Sequence, residues 1–359
     1  MAYTIIDRSS NYFRTKLYTG TGSATSITFD ESTNMQPDFV WIKSRSNAYN
    51  NMLFDVLRGA GTSLFSNSTT GDEVNSPTST TSFDSNGFSL GTNIQVNNSG
   101  STFVNWSWKA NGAGVSNTSG TISSTVSANT TSGFSIISYT GNGSSSATVG
   151  HGLGVVPKMV ICKERNNSDL WQVRHEGLSS NYNLWLHATD RAYNMTNEVN
   201  NGGIANLNSS STFGFVQGVQ DVNSVNQSSS TYIAYCFAEV KGFSKFSSFV
   251  GNGSTDGAFV YTGFKPAFVM IKASSVGGTG YNWGVWDNKR LGYNADNNDL
   301  RINLTNAEAT DDSIDLLSNG FKIRTDSGGF GGGSGTTYIY MCFAESPFVS
   351  SKSIPTTAR

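Results

Sequence analysis

Three stretches of the chain alternate aromatic, β-branched and small residues behind a threonine. They are Thr102-Phe-Val-Asn-Trp-Ser-Trp-Lys-Ala110, Thr231-Tyr-Ile-Ala-Tyr-Cys-Phe-Ala-Glu239 and Thr337-Tyr-Ile-Tyr-Met-Cys-Phe-Ala-Glu345. A period of two over seven or more residues predicts a strand, and three versions of one strand predict three versions of one domain. A second apolar run recurs behind a proline: Pro37-Asp-Phe-Val-Trp-Ile-Lys43, Pro157-Lys-Met-Val-Ile-Cys-Lys163 and Pro266-Ala-Phe-Val-Met-Ile-Lys272. Being apolar on both faces, it reads as a central, doubly covered strand. Its terminal lysine is expected to lead its charge out to solvent along an apolar stem.

Two further signals bracket these runs. An opening strand ends in a glycine turn at Leu17–Ser23, Ser138–Ser144 and Ser248–Ser254. A Gly-Phe step begins another strand at Asn86–Leu90, Phe213–Val216 and Asn319–Ile323, two of the three carrying the Asn-Gly hairpin signal. The prolines fall just over a hundred positions apart, a domain length rather than the short period of a solenoid or propeller. The expected fold is therefore all-β, with three tandem antiparallel, jelly-roll-like β-sandwich modules. The expected division is an N-terminal arm over 1–12, modules over 13–110, 133–242 and 243–348, a linker of small polar residues over 111–132, and a tail over 349–359. The linker reads as extended surface chain, and the shorter junction Val240–Phe246 as the more rigid one. Only Ala307–Leu317 offers a helical turn. The arm, without counterpart in the other copies, is a candidate for adding a strand to a neighbour.

Composition supports this picture. Charged residues make up 13% of the 359 positions, about half the usual share, and the polarity comes instead from Ser, Thr, Asn and 39 Gly. Such a chain favours turns and short strands over long helices. A formal net charge of −2 provides no field to gather polyanions, so no nucleic-acid partner is expected. The first residues lack the basic start and long apolar centre of an export signal, and no apolar run approaches a membrane span. Synthesis and folding in a cytosol are expected, without membrane insertion.

Candidate chemistry is sparse. Three cysteines without close spacing give neither a disulfide framework nor a zinc site. Cys236 and Cys342 share a strand position with Ser107 and read as small core residues. His151, His175 and His187 all fall in the middle module, near Asp169, Glu176 and Asp190, but match no zinc spacing. His151 reads as a turn residue and His175 as a surface or interface residue, since it stands where the other copies have Asp55 and Asp287. Asp311, Asp312 and Asp315 read as a solvated acidic stretch, although paired carboxylates also serve glycan hydrolysis. Asp296–Asp299 offers clustered oxygen ligands for calcium without the order of an EF-hand. The run Gly328–Gly335 lacks the Lys-Ser/Thr of a phosphate loop and reads as a flexible loop with Phe330 at its tip, an interface residue if exposed. No cofactor is expected, and no enzymatic activity.

The opening Met1–Asp7, the run Gln36–Arg45, the segment His151–Pro157 and the stretches Asp315–Phe321 and Phe343–Phe348 resemble a family of tandem-repeat virion proteins. It occurs in tailed phages of marine bacteria, cyanophages and pelagiphages among them. The resemblance covers nearly the whole chain. It implies a virion location after assembly in the host cytoplasm, other virion proteins as partners, and a homo-oligomer, a trimer being favoured. The expected function is a tail-fibre or tail-appendage protein that holds a host surface glycan or protein. A capsid decoration protein is the alternative, and a polysaccharide depolymerase a distant third. Binding is expected in the loops that differ between copies, with Trp185, Tyr281, Trp286, Tyr293 and Phe330 as the candidate contacts, because aromatic residues among neutral amides suit sugars.

Overall fold

The computed structural model describes residues 4–74, 77–290, 298–347 and 349. Every ladder between its strands is antiparallel, and each repeat contributes one large and one small sheet. In repeat I the large sheet runs Phe13–Thr19, Thr102–Trp108, Phe39–Ser44, Met52–Asp55, Thr62–Phe65 and Glu73–Val74. Its small sheet holds Thr25–Thr28, Gly87–Leu90 and Thr80–Asp84. Repeat III follows the same order, with Ser244–Val250, Thr337–Pro347, Phe264–Ala273, Gly284–Asp287 and Leu300–Arg301 over Phe259–Tyr261, Gly320–Ile323 and Ile314–Leu317. The fold is all-β and sandwich-like, as its strand patterning implies.

Repeat II is longer at one edge. Its large sheet begins with Val115–Asn117 and Ser124–Asn129 before reaching Phe134–Thr140, Thr231–Phe237, Met159–Glu164, Gln172–His175, Tyr182–Trp185 and Tyr193–Asn194. The small sheet is Thr148–Gly150, Thr212–Val216 and Gly203–Ile204. The segment expected to be a surface linker thus supplies two strands of this sheet. Its Ser and Thr residues mislead because the alternate positions carry the burial: Ser124, Val126 and Ser127 are buried while Thr125 is exposed. Ile314–Leu317 is a strand rather than the expected helical turn, with Ile314 and Leu316 buried at a period of two.

In each repeat the closing strand, Thr102–Trp108, Thr231–Phe237 or Thr337–Pro347, lies between the opening and proline strands, and its two faces have different partners. On one face Phe103, then Tyr232, Ala234 and Cys236, then Tyr338, Tyr340 and Cys342 pack against their own small sheets. On the other face Trp106, Trp108, Tyr235, Phe237, Met341 and Phe343 join Phe13, Phe39, Phe134 and Phe268 in one cluster common to all three repeats. Phe39 stacks on Tyr235 at 4.4 Å, Phe134 on Phe237 at 4.9 Å and Phe13 on Phe343 at 5.1 Å. Such ring pairs add to the apolar area they remove from water. The three large sheets therefore close around a shared centre, and both junctions between repeats are held by it. Ile6 of the N-terminal arm is also fully buried in this cluster, so within this chain the arm serves its own core.

Candidate functional site

Ionisable groups at the ends of the middle strands, Met52–Asp55, Gln172–His175 and Gly284–Asp287, lie between repeats. Asp55 accepts from Arg58 Nε at 2.6 Å and from the Tyr235 hydroxyl of repeat II at 2.8 Å. Asp287 accepts from Arg290 Nε at 2.8 Å and from Trp106 Nε1 of repeat I at 3.0 Å. His175 holds the corresponding place in repeat II, but the residue of repeat III equivalent to Trp106 and Tyr235 is Met341, which has no proton to donate. The imidazole instead turns Nε2 to the Tyr340 carbonyl of repeat III at 3.1 Å, while Nδ1 accepts from the Gly177 amide at 3.0 Å. Complete burial pulls its pKa down to about 3. Leu178 stands where the other two repeats have Arg58 and Arg290. Contact thus runs from I to II, II to III and III back to I, an internal pseudo-threefold ring.

A second set of contacts runs the other way around. Trp171 Nε1 donates to the Phe65 carbonyl at 2.9 Å, Trp283 Nε1 to the Trp185 carbonyl at 3.0 Å, and Asn51 Nδ2 to the Ile302 carbonyl at 2.9 Å. The three proline-strand lysines, expected at the surface, are all buried. Lys43 Nζ reaches the Thr305 carbonyl of repeat III at 2.7 Å, and Lys272 Nζ reaches the Asp190 carbonyl of repeat II at 2.8 Å. Lys163 bonds within its own repeat, to the Glu164 carbonyl at 2.6 Å. Burial lowers the pKa of Lys43 and Lys272 to about 7 and that of Lys163 to about 8. Arg45 pairs with Glu308 and Arg165 with Asp72, again across repeats.

One differentiated surface feature remains in repeat II. Trp185 is half-buried and stacks on Tyr193 at 4.9 Å, with the Arg191 guanidinium 4.6 Å beyond that ring. Arg191 in turn pairs with Glu198 at 3.0 Å. Trp185, Gln172, Leu170, Glu198 and the turn Val199–Gly202 line a pocket of about 320 Å3. This lies at the lower end of the range for small-molecule sites.

Residues 8–347 match the family described as a domain of unknown function, DUF7483. The chain belongs to this family. The DUF7483 match runs through all three repeats and both junctions, so the family unit is the closed ring of repeats. No curated protein and no solved structure matches the chain.

The DUF7483 fold separates most of the groups that sequence places near one another. His151 accepts from the Leu153 amide in a buried turn, Glu176 pairs with Lys158, and Asp169 accepts from Ser224. Among the described residues no His, Cys, Asp or Glu form a group able to hold a metal. Asp311 pairs with Arg301 and Asp315 with Arg324. Asp296, Asn297 and Tyr293 lie outside the described residues. Asp299 is buried, which raises its pKa to about 6.

Two of the expected contact residues are core residues instead. Trp286 is fully buried, and Phe330 packs edge-on against it at 5.9 Å. The glycine run is correspondingly a packed turn: the Tyr338 hydroxyl donates to the Gly328 carbonyl at 2.6 Å and accepts from the Gly333 amide at 3.0 Å. In repeat III it occupies the place of the helical turns Ile94–Asn97 and Asn223–Asn226; at the second of these the Tyr232 hydroxyl likewise donates to the Asn223 carbonyl at 2.7 Å and accepts from the Gln227 amide at 2.8 Å. Tyr281 is half-buried against this core. Of the expected residues that are described, Trp185 lines a pocket, and its neighbour Gln172 was missed. The available signal was the register of the middle strand, where Gln172 stands for Met52 and Gly284.

Proposed function

We propose that this protein is a virion structural protein of a tailed phage, of tail-fibre or appendage type, that contacts the host surface. The observation that carries the reading is the use of its reactive side chains. Lys43, Lys272, His175 and the arginine-held carboxylates Asp55 and Asp287 join one repeat to the next, which makes a rigid block whose accessible loops are rich in neutral amides and hydroxyls. A block of that kind suits attachment and recognition. Because a single chain closes its own threefold arrangement, the reading does not need the homotrimer expected from the sequence. Light scattering on the purified protein measures the assembly directly.

Antibodies raised against the recombinant chain provide the test. Labelling at the tail in electron micrographs, together with blocked adsorption to host cells, is the expected result. Labelling over the capsid faces establishes the decoration role instead. A chain missing from purified particles overturns both.

A further inference from the structure

The three repeats present the same cross-strand pair to the space between their large and small sheets, and they fill that space differently. In repeat I the pair is Met52 and Phe65, both buried in an apolar cluster. In repeat III it is Gly284 and Arg301. A Cβ on Gly284 would lie 2.5 Å from the Trp286 ring, so that indole, with Phe330 behind it, occupies the space, and the Arg301 guanidinium covers Phe330 at 5.1 Å. In repeat II the pair is Gln172 and Trp185, and the pocket of about 320 Å3 stands beside it.

Both members of that pair have a polar atom without a protein partner. Gln172 is 1% exposed; its Nε2 donates to the Gly202 carbonyl at 3.3 Å, which fixes the amide orientation and leaves Oε1 unpaired. Trp185 Nε1 is likewise unpaired. Two apolar side chains would fill this position without an orphaned donor or acceptor, as Met52 and Phe65 do. A buried polar atom without a partner is unfavourable, so stability alone does not account for this pair.

We infer that this pocket binds a neutral monosaccharide, alone or as the terminal unit of a glycan. Both atoms lie within the wall of the pocket, so a ligand reaches them as the half-buried Trp185 ring turns aside; it must then accept a hydrogen bond from the indole N–H and donate one to the amide oxygen, and vicinal hydroxyls do both. Leu170 and Val199 provide apolar wall for the ring carbons. The carboxylate at the rim, Glu198, is already held by Arg191 and by the Asn194 amide at 2.7 Å, so no free charge in the lining calls for an ionic ligand. Asn200 and Asn201 extend the neutral polar lining. This inference deepens the recognition reading by naming a ligand class, and it is tested without any particle. Sugar binding by a chain that is absent from virions would overturn the virion reading alone; a virion chain blind to sugars would overturn this site alone.

The experiment titrates the full-length protein with glucose, galactose, mannose and N-acetylglucosamine up to tens of millimolar. The readout is the indole N–H resonance of Trp185, assigned from the Trp185→Phe variant. At least one sugar is expected to shift that resonance saturably, and Gln172→Met is expected to weaken binding about tenfold or more. If no sugar shifts the resonance, or if Gln172→Met binds as well as the wild type, the site is not a sugar site. Should Gln172→Met fail to fold, a crystal of the wild type soaked in the same sugars decides. Sugar bonded to Gln172 Oε1 and Trp185 Nε1 supports the site, and ordered water alone on both atoms overturns it.

Discussion

Trp106 and Asp287, 181 positions apart, share a hydrogen bond of 3.0 Å that ties the first repeat to the last. Asp287 also holds Arg290, and all three groups are buried. Removing the carboxylate leaves a buried cation and an indole donor without their acceptor. Asp287→Ala is therefore expected to cost about 3–5 kcal/mol in urea denaturation. Trp106→Phe, which removes one neutral donor and little volume, should cost less. Equal losses from the two would show that the ion pair is not the main tie.

Unfolding should be a single event. Phe134, Tyr235 and Phe237 of repeat II complete a cluster with rings from the other two repeats, so the repeats share their core. Calorimetry is expected to give one transition with matching calorimetric and van't Hoff enthalpies. A fragment spanning 133–242 alone should expose this face and aggregate or remain unfolded. Separate transitions for the repeats would contradict the shared core.

Acid should weaken the protein in part through His175. Its folded pKa of about 3 lies below the ordinary histidine value, so between the two the unfolded chain binds a proton that the folded chain refuses. This contribution is fully present above pH ~6.5 and is lost as pH falls toward 3, by about 1.4 kcal/mol per pH unit. Subtracting the pH profile of His175→Gln from that of the wild type isolates it. A flat difference would mean that the imidazole is charged in the fold.

The buried lysines act in the alkaline range. Folded pKa values near 7 for Lys43 and Lys272 lie far below the ordinary lysine value of about 10.4. Between these limits the unfolded chain binds more protons, so the folded state gains as pH rises. Wild type measured against Lys272→Met should become relatively more stable from pH 7 to about pH 10. A difference independent of pH would place the amine in the charged state throughout, held by the carbonyls of Thr189, Asp190 and Ala273.

The three thiols are expected to report global opening. Cys162, Cys236 and Cys342 are free and buried, and burial raises the Cys162 thiol to about 12 and the other two well above the ordinary thiol value. The folded protein should not react with a disulfide reagent at pH 8, whereas all three thiols should react in denaturant. Rapid labelling of any one under native conditions would reveal local opening of its strand.

The strands were legible because each signal for them is local. The prolines before Phe39 and Met159, the Asn-Gly turns and the period of two in Thr337–Glu345 are all set by a few neighbouring residues. The proline strand even announced two covered faces, since both of its alternate sets are apolar. What covers them was not legible, because Phe39 finds Tyr235 only when sheets from different repeats meet. Lysine burial was hidden for the same reason: the Thr305 carbonyl that receives Lys43 lies 262 positions away. Trp185 was found as an aromatic in a variable loop. Gln172 was overlooked because a glutamine in an otherwise apolar strand acquires meaning only from the pairs at the same place in the other repeats.

Three identical subunits around an axis must make one interface three times over, so no single interface can change without the others. Joining the repeats in one chain lifts that constraint. His175, Leu178 and Met341 stand in place of an Asp, an Arg and a proton donor at one junction while Asp55 and Asp287 hold the Asp–Arg arrangement at the other two. The same freedom lets one repeat open a polar pocket while its siblings fill theirs, dividing labour among copies that symmetry would otherwise hold alike.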